Sequence, residues 1–242
     1  MVVRSKKIDY QHEHAVLKGY MSWDDRFDGP RPGVLICHDA MGSNTEFLYG
    51  RAQALAALGY VGFAIDVYGD GANTTTTEQA TVLMEPFKED TDFLRKRLLA
   101  AVNAAAAQNE IDAENLAAIG YCFGGKCVLE LARCGAPVEG VASFHGVLAV
   151  SEAPTVDPVG AKILVLHGWD DPFVPVEDVL AFTEEMNKAN ADWQLVAYSN
   201  TLHSFTKPGR FEPEKGIAYN PLSEQRSWKK LENFLTELFP GT

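Results

Sequence analysis

The stretch Leu116-Ala117-Ala118-Ile119-Gly120-Tyr121-Cys122-Phe123-Gly124-Gly125-Lys126-Cys127-Val128-Leu129-Glu130-Leu131 decides how this chain is read. A short apolar run ends at Gly120, and a helical pattern starting near Gly124 carries Val128, Leu129 and Leu131 towards a core. Between them, Gly120-x-Cys122-x-Gly124 is the strand–turn–helix pattern G-x-S-x-G with sulfur in place of the hydroxyl. A strand that turns straight into a helix crowds the backbone around the apex, so residues without a Cβ are needed on either side. The apex side chain projects from the top of the sheet, at a helix N-terminus whose dipole favours a thiolate. The plain alternative is a buried, inert cysteine, the usual state of a free thiol. The choice between the two rests on the flanking elements and on two later segments.

Working outward, apolar runs at Gly33–Cys37, Val61–Asp66, Gly140–Gly146, Lys162–Gly168 and Trp193–Tyr198 read as strands, the first of them covered on both faces. Helical patterns separate them. One carries Phe47, Leu48, Ala54, Leu55 and Leu58, with Ser43 or Asn44 as its cap and Gly59 at its end. An alanine-rich helix is expected over Glu89–Gln108, with Pro86 just before it or in its first turn. Arg95, Lys96 and Arg97 read as its solvated face. Two more helices are expected at Val176–Lys188 and Leu222–Phe239, the last with Trp228, Leu231, Phe234, Leu235 and Leu238 on its apolar side. Tyr68–Thr77 reads as a loop at the C-terminal end of a strand, where open α/β sheets place ligands. Lys6–Gln11 and His14–Met21 alternate as an antiparallel hairpin. The expected fold is α/β: a mostly parallel twisted sheet with helices on both faces, right-handed crossovers and an N-terminal hairpin, in one domain over residues 1–242.

Composition narrows the function. A net charge of -12 argues against general nucleic-acid binding, although a local Lys or Arg can still dominate a pocket for a small anion. No run is long enough to cross a membrane, and the N-terminus lacks the apolar core of a signal peptide. The four cysteines, Cys37, Cys122, Cys127 and Cys134, contain no C-x-x-C pair and read as reduced thiols of a cytoplasmic chain. His12-Glu13-His14 puts two histidines on one face of a strand, but no further ligands cluster nearby, so no metal is expected. No organic cofactor is expected either, and the chain reads as a monomer or small homo-oligomer.

A thiol nucleophile needs a base, and the base needs a group to orient it. Cys122 follows a middle strand, Asp170 or Asp171 a later one, and His203 the last. All three fall on one edge of a parallel sheet, in the order nucleophile, acid, histidine used by the α/β-hydrolase fold. In that fold the oxyanion is held by the N–H after the nucleophile, here Phe123, and by one from the loop Asp39–Gly42. His145 ends another strand on the same edge and is a candidate to line the site, beside its reading as a hydrogen-bonded structural histidine.

Gly120-Tyr121-Cys122-Phe123-Gly124-Gly125, Asp171-Pro172-Phe173-Val174-Pro175 and His203-Ser204-Phe205 together resemble the dienelactone hydrolase family of α/β hydrolases, from about Gly33 to the terminal helix. The resemblance implies a Cys-Asp-His triad of Cys122, Asp171 and His203, which opens a cyclic enol ester, a carboxymethylenebutenolide, through a thioester. It selects Asp171 because that residue directly precedes the Pro-Phe-Val-Pro run, and it places the second oxyanion N–H on Ala40. It also places Asp39 where studied members carry a glutamate, one methylene longer. Lys207 stands where they bind the substrate carboxylate with an arginine, and a lysine offers a point charge without the bidentate fork. The same triad would also serve a thioesterase or a general esterase for small acyl groups. A non-catalytic α/β-hydrolase scaffold is the reading from another class; it would leave Cys122 no more reactive than an ordinary thiol.

Overall fold

The computed structural model describes residues 2–43 and 45–242. Among the described residues, eight strands form one sheet in the order β1 (Val3–His12), β2 (Ala15–Asp24), β4 (Val61–Ala64), β3 (Arg31–Cys37), β5 (Ile111–Tyr121), β6 (Gly140–Phe144), β7 (Lys162–Gly168), β8 (Trp193–Tyr198). From β4 to β8 every pairing is parallel. β1 and β2 form the N-terminal antiparallel hairpin, and β2 joins the sheet antiparallel to β4.

The buried middles of the central strands, such as Val34–Cys37 of β3 and Leu116–Ile119 of β5, are apolar because both faces are covered. Val34 and Ile36 of β3 and Ala117 and Ile119 of β5 point into one core; Leu35, Cys37, Leu116 and Ala118 point into the other. The first core is closed by α1 (Glu46–Ala57) and α6 (Pro221–Leu238), through Leu48, Leu55, Leu231 and Phe234. The second is closed by α3 (Thr91–Ala106), α4 (Phe123–Arg133) and α5 (Val176–Lys188), through Leu98, Val128 and Phe182. The β3–α1–β4 crossover therefore lies on the face opposite β5–α4–β6, and the strand ends between them open a shared edge.

Four local expectations are corrected. Helix α1 is capped by Thr45, whose hydroxyl accepts from Leu48 N at 3.3 Å. Ser43 is too early to reach the first turn, and Asn44 lies outside the described residues. The helix expected over Glu89–Gln108 is α3, and a separate helix that was not expected, α2 (Thr77–Glu89), precedes it and holds Pro86 near its own end, not in the first turn of α3. They part at Asp90, whose carboxylate accepts from Phe93 N at 2.8 Å and so starts α3 as its N-cap. Arg95 and Arg97 are buried, not solvated. Arg95 pairs with Glu130 of α4, and Arg97 donates to the Val67 carbonyl and to His12. Finally, His12 ends β1 whereas His14 lies in the turn that follows, so the two do not share a strand face.

Candidate active site

Cys122 sits at the junction of β5 and α4 with φ 56° and ψ -113°, a strained conformation for a residue with a side chain. The neighbouring glycines are required by contact. A Cβ on Gly120 would lie 1.9 Å from the Gly124 carbonyl oxygen, and one on Gly124 would lie 2.3 Å from the Cys37 carbonyl oxygen. The elbow is thus wedged between its own helix and the end of β3. Cys122 is half-buried, whereas Cys37 and Cys127 are sealed in the core. Burial pushes the thiols of Cys37, Cys127 and Cys134 up, which keeps them protonated.

Asp171 and His203 meet beside it. His203 Nδ1 lies 2.7 Å from Asp171 Oδ2, and Phe173 N donates to Asp171 Oδ1 at 2.9 Å, so both carboxylate oxygens are held. With Nδ1 engaged by Asp171, Nε2 is left to face the cavity that Cys122 also lines. Burial draws the imidazole's pKa down, but the charge of a Cys122 thiolate and the bonds to Asp171 and Cys122 outweigh it and raise it to about 10. The neighbouring Asp170 is exposed and makes no such contact.

The backbone of His203 is fixed by a feature that strand periodicity did not reveal. A small hairpin, β9 (Phe211–Glu212) and β10 (Ile217–Ala218), folds back over it. His203 N donates to the Gly216 carbonyl at 3.0 Å, and Ala218 N donates to the His203 carbonyl at 3.1 Å.

The loop after β3 is stitched from both sides. His38 is buried. Its Nδ1 donates to the Asp39 carbonyl at 2.7 Å, while Nε2 accepts from Val67 N at 3.2 Å. Tyr68 donates to the Ala40 carbonyl at 3.0 Å. Asp39 accepts from Met41 N at 2.8 Å and from Lys207 Nζ at 2.5 Å. Ala40 and Phe123 line the same cavity as Cys122 and His203. As the first residue of α4, Phe123 has an N–H with no intrahelical acceptor.

His145 does not line the cavity. It is 2% exposed and lies behind His203, with ring centroids 5.1 Å apart, and its Nε2 pairs with Thr206 Oγ1 at 2.8 Å. The positive φ of 39° turns it inward from the end of β6. Burial, and then the charge on His203, hold its pKa well below the usual histidine range.

The cavity over Cys122 encloses about 370 Å³. Asp39 and Lys207 line it. Lys88, Lys126 and Arg210 also line it and were missed, as was the wall formed by α2. A helical stripe in Thr77–Lys88 was the available signal, hidden by the run of threonines and by Pro86.

The dienelactone hydrolase family model matches residues 17–239. A crystal structure of a dienelactone hydrolase-like promiscuous phosphotriesterase from metagenomic libraries superposes with a TM-score of 0.93 at 36% identity, covering 98% of each chain. An uncharacterized protein of Caenorhabditis elegans is 37% identical over 150 residues, 60% of this chain and 94% of that one. A putative carboxymethylenebutenolidase of Yersinia pestis is 24% identical over 91% of this chain and 84% of its own.

Proposed function

The chain belongs to the dienelactone hydrolase family and is a hydrolase, and from that premise we propose that it opens a small ester or lactone of the carboxymethylenebutenolide kind through Cys122, His203 and Asp171. The observation that carries this reading is His203, held by the Asp171 carboxylate at 2.7 Å, lining the same cavity as the half-buried Cys122.

In the proposed reaction the Cys122 thiolate attacks the ester carbonyl carbon and forms a C–S bond. The carbonyl π electrons move to oxygen, which the N–H groups of Phe123 and Ala40 receive; one such donor is worth roughly 3 kcal/mol in the transition state. Collapse breaks the C–O bond, and the departing enol or alcohol takes a proton from the His203 imidazolium. Water then gives a proton to His203 as its oxygen attacks the thioester, and rupture of the C–S bond restores the thiolate. Asp171 keeps the imidazole in one tautomer and offsets its positive charge. Lys207 is the candidate contact for a substrate carboxylate, which must compete with Asp39 for it.

Assaying small lactones, acyl thioesters and p-nitrophenyl esters side by side separates lactonase, thioesterase and general esterase. Cys122→Ala should abolish turnover with the circular dichroism spectrum unchanged. Full activity in that variant would remove Cys122 from the reaction.

A second reading follows from the likeness to the metagenomic phosphotriesterase over nearly all of both chains. The same sulfur and the same pair of N–H groups suit a phosphotriester, whose phosphoryl oxygen gains charge on attack. Hydrolysis of paraoxon by the wild type but not by Cys122→Ala would support it.

A further inference from the structure

Helix α2 is unusual in where its stripe points. Thr77, Ala80, Thr81, Met84 and Lys88 all line the cavity over Cys122. At 100° per residue these positions fall within an arc of about 100°, the width of a normal core-facing stripe. Here that stripe faces a cavity, while the outer side of α2 is open, with Val82 67% exposed. Apolar side chains from other elements, Met41, Phe123, Val147 and Phe173, line the cavity with Ala80 and Met84 of α2. From Thr77 to Lys88 the stripe runs roughly 16 Å, eleven residues at 1.5 Å each. A volume of about 370 Å³ lies in the range of small-molecule sites that surround an apolar ligand body. The cation expected to bind a carboxylate, Lys207, is meanwhile engaged by Asp39.

We propose that α2 is the specificity wall of this enzyme: its Ala80–Met84 stripe receives an extended apolar acyl group, so that medium-chain esters are preferred to compact ones. The inference rests on the hydrolase reading of Cys122 and adds the substrate class. Met84 suits this role because its unbranched thioether adapts to irregular apolar surfaces. Thr81 is the polar interruption in the stripe, its hydroxyl returned to the Thr77 carbonyl at 3.0 Å.

The experiment is kcat/KM across p-nitrophenyl acetate, butyrate, hexanoate and octanoate. The rate constant should rise about fourfold for each buried methylene, the equivalent of about 0.8 kcal/mol, until the wall is covered. Met84→Glu should lower the hexanoate-to-acetate ratio at least tenfold. Thr81→Leu, an apolar gain at an exposed position, should raise it about threefold, and Val82→Thr on the outer face should leave it unchanged. A flat or falling series, or ratios that stay within twofold in both Met84→Glu and Thr81→Leu, would overturn the proposal while leaving the hydrolase reading intact. A folded wild type that cleaves none of these esters would also overturn the proposal, and only inactivity on small lactones and acyl thioesters as well would sink the reading of Cys122.

Discussion

His203 Nδ1 and Asp171 Oδ2 stand 2.7 Å apart, with both side chains buried and the second carboxylate oxygen held by Phe173 N. The carboxylate can therefore serve only as acceptor for the imidazole N–H. Asp171→Asn puts an amide there that stabilises the wrong tautomer, and kcat/KM should fall roughly 10³- to 10⁴-fold. Asp170→Asn, one residue away but exposed, should change it by less than threefold. Steady-state kinetics on both variants decides the point, and the reverse ranking would move the orienting role to Asp170.

The same imidazole should hold its proton unusually late. Opposing burial, the Cys122 charge and the bonds to Asp171 and Cys122 raise its pKa to about 10. The unfolded chain releases this proton near 6.5, so the contribution to stability is complete below about pH 6.5 and is lost as pH rises through about 10. Histidine-selective NMR titration should find His203 protonated at pH 8. In Cys122→Ser, which removes the sulfur charge, the midpoint should fall. An unchanged midpoint would separate sulfur from imidazole.

Gly124→Ala should be poorly tolerated. Its methyl would meet the Cys37 carbonyl oxygen at 2.3 Å and the His38 carbonyl oxygen at 2.6 Å, and neither is a flexible side chain. We expect a loss of at least about 3 kcal/mol, the upper end for overpacking. Chemical denaturation measures it, and the surviving protein should show reduced kcat because the loop bearing Ala40 is displaced.

Glu130 tests the clamp behind the elbow. Its carboxylate is completely buried between Arg95 and Arg133, at 2.9 and 3.0 Å. Arg133 continues to Glu185 on α5 at 2.7 Å. Glu130→Ala leaves two buried guanidinium groups short of charge and should cost about 3–5 kcal/mol in unfolding free energy. Glu130→Met with both arginines replaced by apolar residues should recover much of that loss, since the network's net worth is smaller than the cost of breaking it.

Much of this was legible because its signals are local. The run Gly33–Cys37 could only be a strand covered on both faces, and it is β3 with alternate residues in two cores. Val176–Lys188 carries its own periodicity and is α5 over those same residues. Helix α2 was hidden because its stripe faces the cavity and not a core, so its residues are not the continuous apolar set that marks a core helix. Arg95 and Arg97 look like solvent residues in any window of sequence; Glu130, 35 positions beyond Arg95, is what permits its burial.

By itself the sequence determined the alternation of strands and helices, the glycine elbow at Cys122 and the chain order of sulfur, carboxylate and imidazole. These follow from backbone sterics and from side-chain periods of two and 3.6, which act over a few residues. Only the tertiary structure decided that His145 lies behind the site, that Asp39 engages Lys207, and that α2 walls the cavity. Each of these joins residues distant in the chain or depends on which way a loop side chain turns. Packing of the whole sheet edge sets those directions, and no local propensity encodes them.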